Sequence, residues 1–151
     1  MGNNLYIATM EPRSGKSVVL LGLMELLSRR IQKIGIFRPI VQAGEKPDDY
    51  LELVRKRYKL PFDYEEMYGV THQEARALIS SGEFDKLNLA LVDKYKALER
   101  QCDFVVCVGT DFTGVATAFE FDFNADIAID YTVKGGSLTQ RATGSVSAKA
   151  Q

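Results

Sequence analysis

The sequence predicts an α/β protein with a three-layer, P-loop-like fold and a mainly parallel sheet. Residues 5–9 form a short apolar run, which a proline- and glycine-containing loop separates from a helical pattern that starts at Lys16. The second apolar run, Ile34–Val41, is apolar on both faces, as in a parallel strand covered by helices on each side. Strand, helix and strand in this succession form a βαβ unit.

The helix that begins at Lys16 is predicted to run to about Arg30, since apolar residues recur at three- and four-residue intervals. These residues are Val19, Leu20, Leu23, Leu26, Leu27 and Ile31. A second helix follows Asp48 or Asp49, either of which suits an N-cap, and Pro61 ends it.

Beyond Pro61 the pattern predicts two further helices and one strand. Residues 67–70 form a short extended or turn segment, and residues 71–74 match the S/T-x-x-E capping box of a helix that reaches about Ser80. An amphipathic helix over 84–101 precedes Phe104–Val108, which is predicted as the third strand of the sheet.

The chain divides into a P-loop-like α/β domain over residues 1–128 and an atypical end over residues 129–151. From residue 134 onward the composition is dominated by Gly, Ser, Thr, Ala and Gln. Such a segment buries too little apolar surface to offset its ordering entropy, so we expect a loosely ordered tail. A sheet that is truncated or altered at this end would leave an edge strand exposed.

Charge and cysteine content exclude several classes of function. With 19 basic and 20 acidic residues the net charge is −1, which favours neither nucleic acid nor an anionic membrane surface as a partner. Cys102 and Cys107 would lie more than about 10 Å apart along a strand, beyond disulfide reach. We therefore expect reduced cysteines and a cytoplasmic location, with no segment long and apolar enough to cross a bilayer.

The strongest local signal for chemistry is the run Ser14-Gly15-Lys16-Ser17 between a strand and a helix. A phosphate loop uses glycine to turn backbone amides toward an anion, lysine to reach the outer phosphates, and a serine hydroxyl to hold Mg²⁺. The first glycine of that motif would fall at Met10, and Pro12 removes one amide from the loop. Two interpretations stay open: nucleotide or anion binding, and a helix start without a ligand.

A second candidate is the loop after Phe104–Val108, which contains Thr110 and Asp111. Ligands of doubly wound sheets bind beyond the carboxyl ends of the strands, so this loop is expected beside Gly15 and Lys16. Asp111 is then either a partner for Mg²⁺ or a turn residue. Asp48 and Asp49 follow the second strand and are either N-caps or metal ligands at the same edge.

Several segments, taken in order, resemble the N-terminal region of long-form phosphate acetyltransferases. They are residues 5–17, 37–40, 67–75, 102–105, 109–112 and 123–128. In that family the region is similar to dethiobiotin synthetase, a P-loop fold that binds ATP and Mg²⁺. The resemblance implies a regulatory and assembly domain, homo-oligomers, and a separate C-terminal domain that transfers acetyl groups between coenzyme A and phosphate.

The resemblance implies ATP and Mg²⁺ as ligands, and the candidate site residues are those that the loop positions above indicate. A nucleotide would be held by Arg13, Ser14, Gly15, Lys16, Ser17, Thr110 and Asp111, with Mg²⁺ at Ser17, Asp48 and Asp49. The resemblance implies a glutamate just before Gly109, where this chain has Val108. Without that carboxylate we expect no catalytic residues in this chain. An ATP-dependent ligase resembling dethiobiotin synthetase and a ligand-free oligomerisation module stay as alternatives.

Overall fold

A computed structural model of the chain describes residues 3–8, 15–109 and 140–143. Within these residues, five parallel strands form one sheet in the order β3-β2-β4-β1-β5. The strands, in chain order, are β1 (Asn3–Ala8), β2 (Ile34–Val41), β3 (Tyr68–Thr71), β4 (Phe104–Val108) and β5 (Gln140–Thr143). The central strand is β4, which pairs with β2 on one side and with β1 on the other, where Leu5 lies opposite Val106.

Helices lie on both faces of this sheet, so the predicted three-layer α/β fold is confirmed. They are α1 (Lys16–Ser28), α2 (Asp49–Tyr58), α3 (His72–Ser80) and α4 (Phe84–Glu99), with a 3₁₀ turn at Tyr64–Glu66. In the sheet, β2 and then β3 lie progressively further from β1 toward one edge. The connection from β3 to β4 runs back in the opposite direction. Since parallel crossovers are right-handed, α1 and α2 cover one face, and α3 and α4 cover the other.

The core sits on both faces of the inner strands β2 and β4. All eight residues of β2 are buried, as its unbroken apolar run predicts. Phe37 packs edge-on against Tyr95 of α4, with ring centroids 5.6 Å apart. Asn4 of β1 donates to the hydroxyl of Tyr95 over 2.7 Å, which ties the amino end of the sheet to the same helix.

Residues 67–70, predicted as extended or turn, begin a strand in the structure. β3 pairs in parallel with β2, with Ile40 opposite Val70. Phe104–Val108 is therefore the fourth strand along the chain and not the third. Only four residues form β3, so the sequence pattern is too short to show alternation, and the exposed edge of β2 decides its conformation.

The helix boundaries follow their predicted caps closely. Asp48 is the N-cap of α2 and Thr71 the N-cap of α3, the latter in the predicted capping box with Glu74. Helix α1 ends at Ser28, two residues before the predicted end at Arg30. Two members of its apolar pattern, Val19 and Leu26, are exposed, so the buried stripe is narrower than the apolar spacing indicates.

Part of the segment for which a loose tail is predicted lies in the sheet. Gln140–Thr143 pair with β1, with Tyr6 opposite Arg141. The backbone groups on the side of β1 away from β4 offer a template for pairing that needs no apolar side chain. The sequence pattern predicts no strand at these four residues; the division at residue 128 and the loose tail stay predictions, since the other residues from 129 to 151 lie outside the described ranges.

Candidate functional site

The candidate site lies at the carboxyl edge of the sheet, between β1 and β4. The chain leaves β1 toward β2 on one side, whereas β5, which follows β4 along the chain, lies on the other side. Such a reversal opens a crevice at the ends of two neighbouring strands, where doubly wound folds bind ligands. Lys16 opens α1 above this crevice, and Gly109 directly follows β4.

Lys16 is buried in this crevice, with 3% of its surface exposed. Its ammonium donates to the carbonyl oxygen of Gly109 over 3.1 Å. The amide of Gly109 donates in turn to the carbonyl of Ile7 in β1 over 2.7 Å. The predicted approach of the loop after β4 to the start of α1 is therefore observed at Gly109.

Gly15 sets the direction in which α1 starts. Its φ of 78° lies in the left-handed region, which glycine adopts without the strain that a side chain adds. Its carbonyl accepts from the amides of Val18 and Val19 over 3.1 and 3.3 Å, which opens the helix. The first amides of a helix have no acceptor within it and carry the positive end of its dipole, so this terminus favours an anion.

A second cation, Arg38, lies near Lys16, and one aromatic ring contacts both. The Tyr50 ring centroid is 5.8 Å from the Lys16 ammonium and 4.4 Å from the guanidinium carbon of Arg38. Cations within about 6 Å of an aromatic centroid are attracted by the ring's quadrupole. Tyr50 thus holds two buried cations at one edge of the sheet.

Asp48 balances one of these two cations. Its Oδ1 accepts from Nη1 of Arg38 over 3.1 Å and caps α2 by accepting from the amides of Tyr50 and Leu51. The Arg38 and Asp48 side chains are 7% and 8% exposed. Lys16, Arg38 and Asp48 together carry one net positive charge in a poorly solvated position, which suits an anionic ligand.

The groups beneath this cluster are neutral at ordinary pH. Burial raises the pKa of the Tyr6 hydroxyl on β1, and the neighbouring Cys107 thiol raises it further, while Arg38 lowers it. Burial likewise raises the pKa of the Cys107 thiol on β4. Neither group supplies a negative charge that would offset Lys16 and Arg38.

The structure brings together only some of the residues predicted for the site. Gly15, Lys16 and the half-buried Ser17 form the start of α1, and Asp48 joins them through Arg38 and Tyr50. Asp49 is exposed at the first position of α2. The other four predicted residues, Arg13, Ser14, Thr110 and Asp111, lie outside the described residues, and their roles stay predictions.

Sequence reasoning missed two members of the cluster, Arg38 and Tyr50. The sequence does contain an indication for Arg38, because it is the one charged residue in the eight-residue strand β2. A charge that is buried in a central strand needs a partner, which makes it a candidate for a site. The sequence gives no such indication for Tyr50, since nothing in its local sequence distinguishes it from a packing residue.

The residues around the crevice fit a phosphate group better than a bare metal ion. Across the described ranges, no three His, Cys, Asp or Glu side chains are grouped to hold a metal. Val108 is fully buried at the position for which a glutamate was implied. Of the predicted Mg²⁺ ligands, Asp48 already accepts three hydrogen bonds, so Ser17 is the one best placed to contact an ion that arrives with a nucleotide.

The helices described here include none that is long and apolar enough to span a bilayer.

Comparison with known proteins shows that the chain matches one family model and is similar to two phosphate acetyltransferases. The model of a family described as an AAA domain (AAA_26) matches residues 3–134. A phosphate acetyltransferase of Nitratidesulfovibrio vulgaris is 47% identical over 130 residues, which are 85% of this chain and 18% of that protein. A phosphate acetyltransferase of Synechocystis sp. is 39% identical over 130 residues, 85% of this chain and 19% of that protein. The chain thus spans less than a fifth of the length of the curated relatives it matches.

Proposed function

We propose a function for this chain from one premise: it belongs to the AAA domain family (AAA_26). We infer that it is the N-terminal domain of a phosphate acetyltransferase, and that it binds a nucleotide without turning it over. The domain would regulate and assemble the parent protein. The parent reaction would transfer an acetyl group from coenzyme A to inorganic phosphate, which gives acetyl phosphate and free coenzyme A, in a separate C-terminal domain.

The observation that carries this proposal is the buried ammonium of Lys16 at the start of α1. A helix N-terminus with a lysine at its first position attracts phosphate through both its amides and its charge. Gly15 and Ser17 would present backbone amides to the phosphates, and Lys16 would exchange the Gly109 carbonyl for a phosphate oxygen. Bound Mg²⁺ would neutralise phosphate charge, with the Ser17 hydroxyl as its protein contact.

Two features support binding without catalysis. Phosphoryl transfer needs a group that positions or activates the nucleophile, commonly a carboxylate. Val108 is apolar and buried where the ligase-like pattern would have such a group, and the carboxylate of Asp48 is engaged by Arg38 and by the amides that it caps. The described part of the crevice therefore favours a sensor over an ATP-dependent ligase.

The remaining parts of the proposal follow from the relatives' length and from composition. The two named relatives are more than five times as long as the region matched, which leaves room for a C-terminal acetyltransferase domain as an intramolecular partner. A nearly neutral chain with reduced cysteines is consistent with a cytoplasmic homo-oligomer.

Calorimetric titration of the 151-residue chain with MgATP tests the ligand. We expect saturable binding that Lys16→Ala and Lys16→Met weaken by about 10-fold or more, because a charge-assisted hydrogen bond contributes about 1.5–3 kcal/mol. Lys33→Ala is the matched control, since Lys33 is exposed just before β2 at the opposite edge of the sheet. Absence of heat with the wild type, or equal binding by the Lys16 variants, would refute nucleotide binding.

Two further measurements separate the alternatives. Light scattering with and without MgATP distinguishes a sensor, whose oligomer size or affinity changes, from a ligand-free oligomerisation module, whose size stays constant. Release of phosphate when a diamino acid and carbon dioxide are added with MgATP would indicate the ligase instead.

A further inference from the structure

A second recess lies at the same edge of the sheet, beyond β2 from the Lys16 crevice. It is a cleft of about 320 Å³ between the loop of residues 42–47 and the segment that enters β3. Its lining includes Val41, Gln42, Lys46, Tyr64, Tyr68 and Thr71. The carboxyl ends of β2 and β3, at Val41 and Thr71, form its base.

Two tyrosines give this cleft an aromatic wall. The ring centroids of Tyr64 and Tyr68 are 5.1 Å apart, and the planes are tilted by 48°. The hydroxyl of Tyr64 accepts from the amide of Asp48 over 2.8 Å, and the Lys94 ammonium lies 5.9 Å from the centroid of Tyr68. The Tyr64 ring is therefore held by the N-cap residue of α2, and Tyr68 packs against it, so the pair needs little ordering when a ligand binds.

The facing loop is polar. Gln42 contributes a side-chain amide with both donors and an acceptor, and Ala43 and Gly44 line the cleft along the same stretch of loop. The ionised side chains that line the cleft are Glu45, Lys46 and Glu65, which sum to one negative charge, and the Lys94 ammonium beside the Tyr68 ring brings the sum to zero. Because the cleft carries no net positive charge, it favours an uncharged ligand with hydrogen-bonding edges over a phosphate or a carboxylate.

We propose that the cleft binds the base of a nucleoside: a neutral, planar heteroaromatic ring with donors and acceptors on its edge. Its volume is at the lower end for small-molecule sites, which matches one base and part of a ribose. Stacking of a base on an aromatic side chain contributes about 1–3 kcal/mol and needs no charge. This site goes beyond the proposed nucleotide function, because Lys16 does not line it.

Saturation-transfer NMR and equilibrium dialysis with adenosine, guanosine, cytidine and uridine test this proposal on the whole chain. We expect saturable binding of at least one of the four, and no binding of ribose 5-phosphate in the cleft. Tyr68→Leu should weaken it by about 10-fold, as loss of a stacking partner predicts. Gln42→Ala, at an exposed loop position, should also weaken it and keeps the test valid if Tyr68→Leu does not fold.

Two control variants separate this site from that of Lys16. Tyr58→Leu changes a tyrosine of α2 whose hydroxyl donates to the carbonyl of Leu21, outside the cleft, and should bind nucleosides like the wild type. Lys16→Met should also keep nucleoside binding even where MgATP binding is lost. The proposal is wrong if none of the four nucleosides binds at concentrations up to about 10 mM, which corresponds to a binding free energy weaker than about 3 kcal/mol. It is also wrong if Lys16→Met abolishes binding while Tyr68→Leu and Gln42→Ala retain it.

Discussion

The ammonium of Lys16 lies 3.1 Å from the carbonyl oxygen of Gly109, a residue 93 positions further along the chain. This contact joins the start of α1 to the exit of β4 across the crevice between β1 and β4. Burying the Lys16 ammonium costs desolvation free energy that a neutral side chain of similar size would not cost. A buried charge of this kind is a candidate for ligand binding. Substitutions of Lys16 can measure its effect on stability separately from its effect on binding.

For Lys16, we expect Lys16→Met to be more stable than Lys16→Ala by about 2 kcal/mol, because Met keeps the packed stem and leaves no cavity. The Met variant should be at least as stable as the wild type, since it removes a buried ammonium that has to be desolvated. Urea denaturation followed by circular dichroism measures both free energies of unfolding. An Ala variant more stable than the Met variant would contradict the buried, packed position of this side chain.

For Asp48, the Asn variant isolates the effect of charge. Asn caps a helix as well as Asp does, so Asp48→Asn keeps the cap of α2 and removes the negative charge beside buried Arg38. We expect a loss of about 3 kcal/mol in the free energy of unfolding, which is typical of a broken buried ion pair.

The control for that prediction is the exposed pair of Lys56 and Glu52, 3.0 Å apart with Lys56 78% exposed. Lys56→Ala should change stability by less than about 0.5 kcal/mol. Adding Arg38→Met to Asp48→Asn should recover much of the lost stability. If Asp48→Asn and Lys56→Ala have equal effects in urea denaturation, the pair is not buried in solution.

For Gly69, we expect Gly69→Ala to lower the free energy of unfolding by about 2 kcal/mol or more through overpacking. An added Cβ would lie 2.5 Å from the carbonyl oxygen of Pro39 and would overlap the Cδ2 atom of Leu91. The backbone oxygen cannot move without disturbing β2, so the clash has no easy relief.

Gly22→Ala is its matched control, because Gly22 lies in the middle of α1 and an added Cβ there meets nothing within 4 Å. Alanine in an exposed helical position should raise stability by about 0.5–1 kcal/mol. If Gly69→Ala were as stable as the wild type while Gly22→Ala behaved as expected, the close packing of β3 against β2 would be contradicted.

Stability should fall as the pH rises above about 9. Burial, with nearby Asp103 and Glu66, raises the pKa of the Cys102 thiol from 9.0 to about 11. Burial also raises the pKa of Cys107, Tyr6 and Tyr95. An acid with a raised pKa in the folded state loses its proton first in the unfolded chain, so stability is complete below the unfolded pKa and is lost above it.

Urea midpoints between about pH 8 and about pH 10.5 measure this dependence. Cys102→Ala combined with Cys107→Ala should flatten the part of the decline that starts near 9.0, while the tyrosines still lower stability above 10.0. A free energy of unfolding that stays constant or increases across this range would show that the thiols are not buried as described.

Much of the fold follows from local patterns, and the exceptions are short segments. The bounds of β2 are those that its apolar run predicts, and Thr71 and Glu74 form the predicted capping box. The segment that begins β3 carries no comparable signal, because four residues are too few to show a period, and its pairing with β2 makes it a strand.

The site likewise contains residues that the local sequence predicts and residues that only the folded chain brings together. Lys16 was predicted from its neighbours alone, because a glycine and a lysine between a strand and a helix are a local motif. Arg38 and Tyr50 join it only once α2 packs on the sheet, so no local pattern predicts that the three meet. By sequence Asp48 and Asp49 are equal candidates for the N-cap; in the structure Asp48 caps α2, and its contact with the distant Arg38 distinguishes it from Asp49.

Apolar spacing and turn residues were sufficient to establish an α/β protein whose first helix starts with a glycine and a lysine, because these signals act within a few residues. The order of the strands, the burial of Lys16 against Gly109 and the charge cluster with Arg38 depended on the folded chain. Those features arise when segments far apart in sequence meet, and the free energy of such contacts is set by packing and desolvation rather than by neighbouring residues.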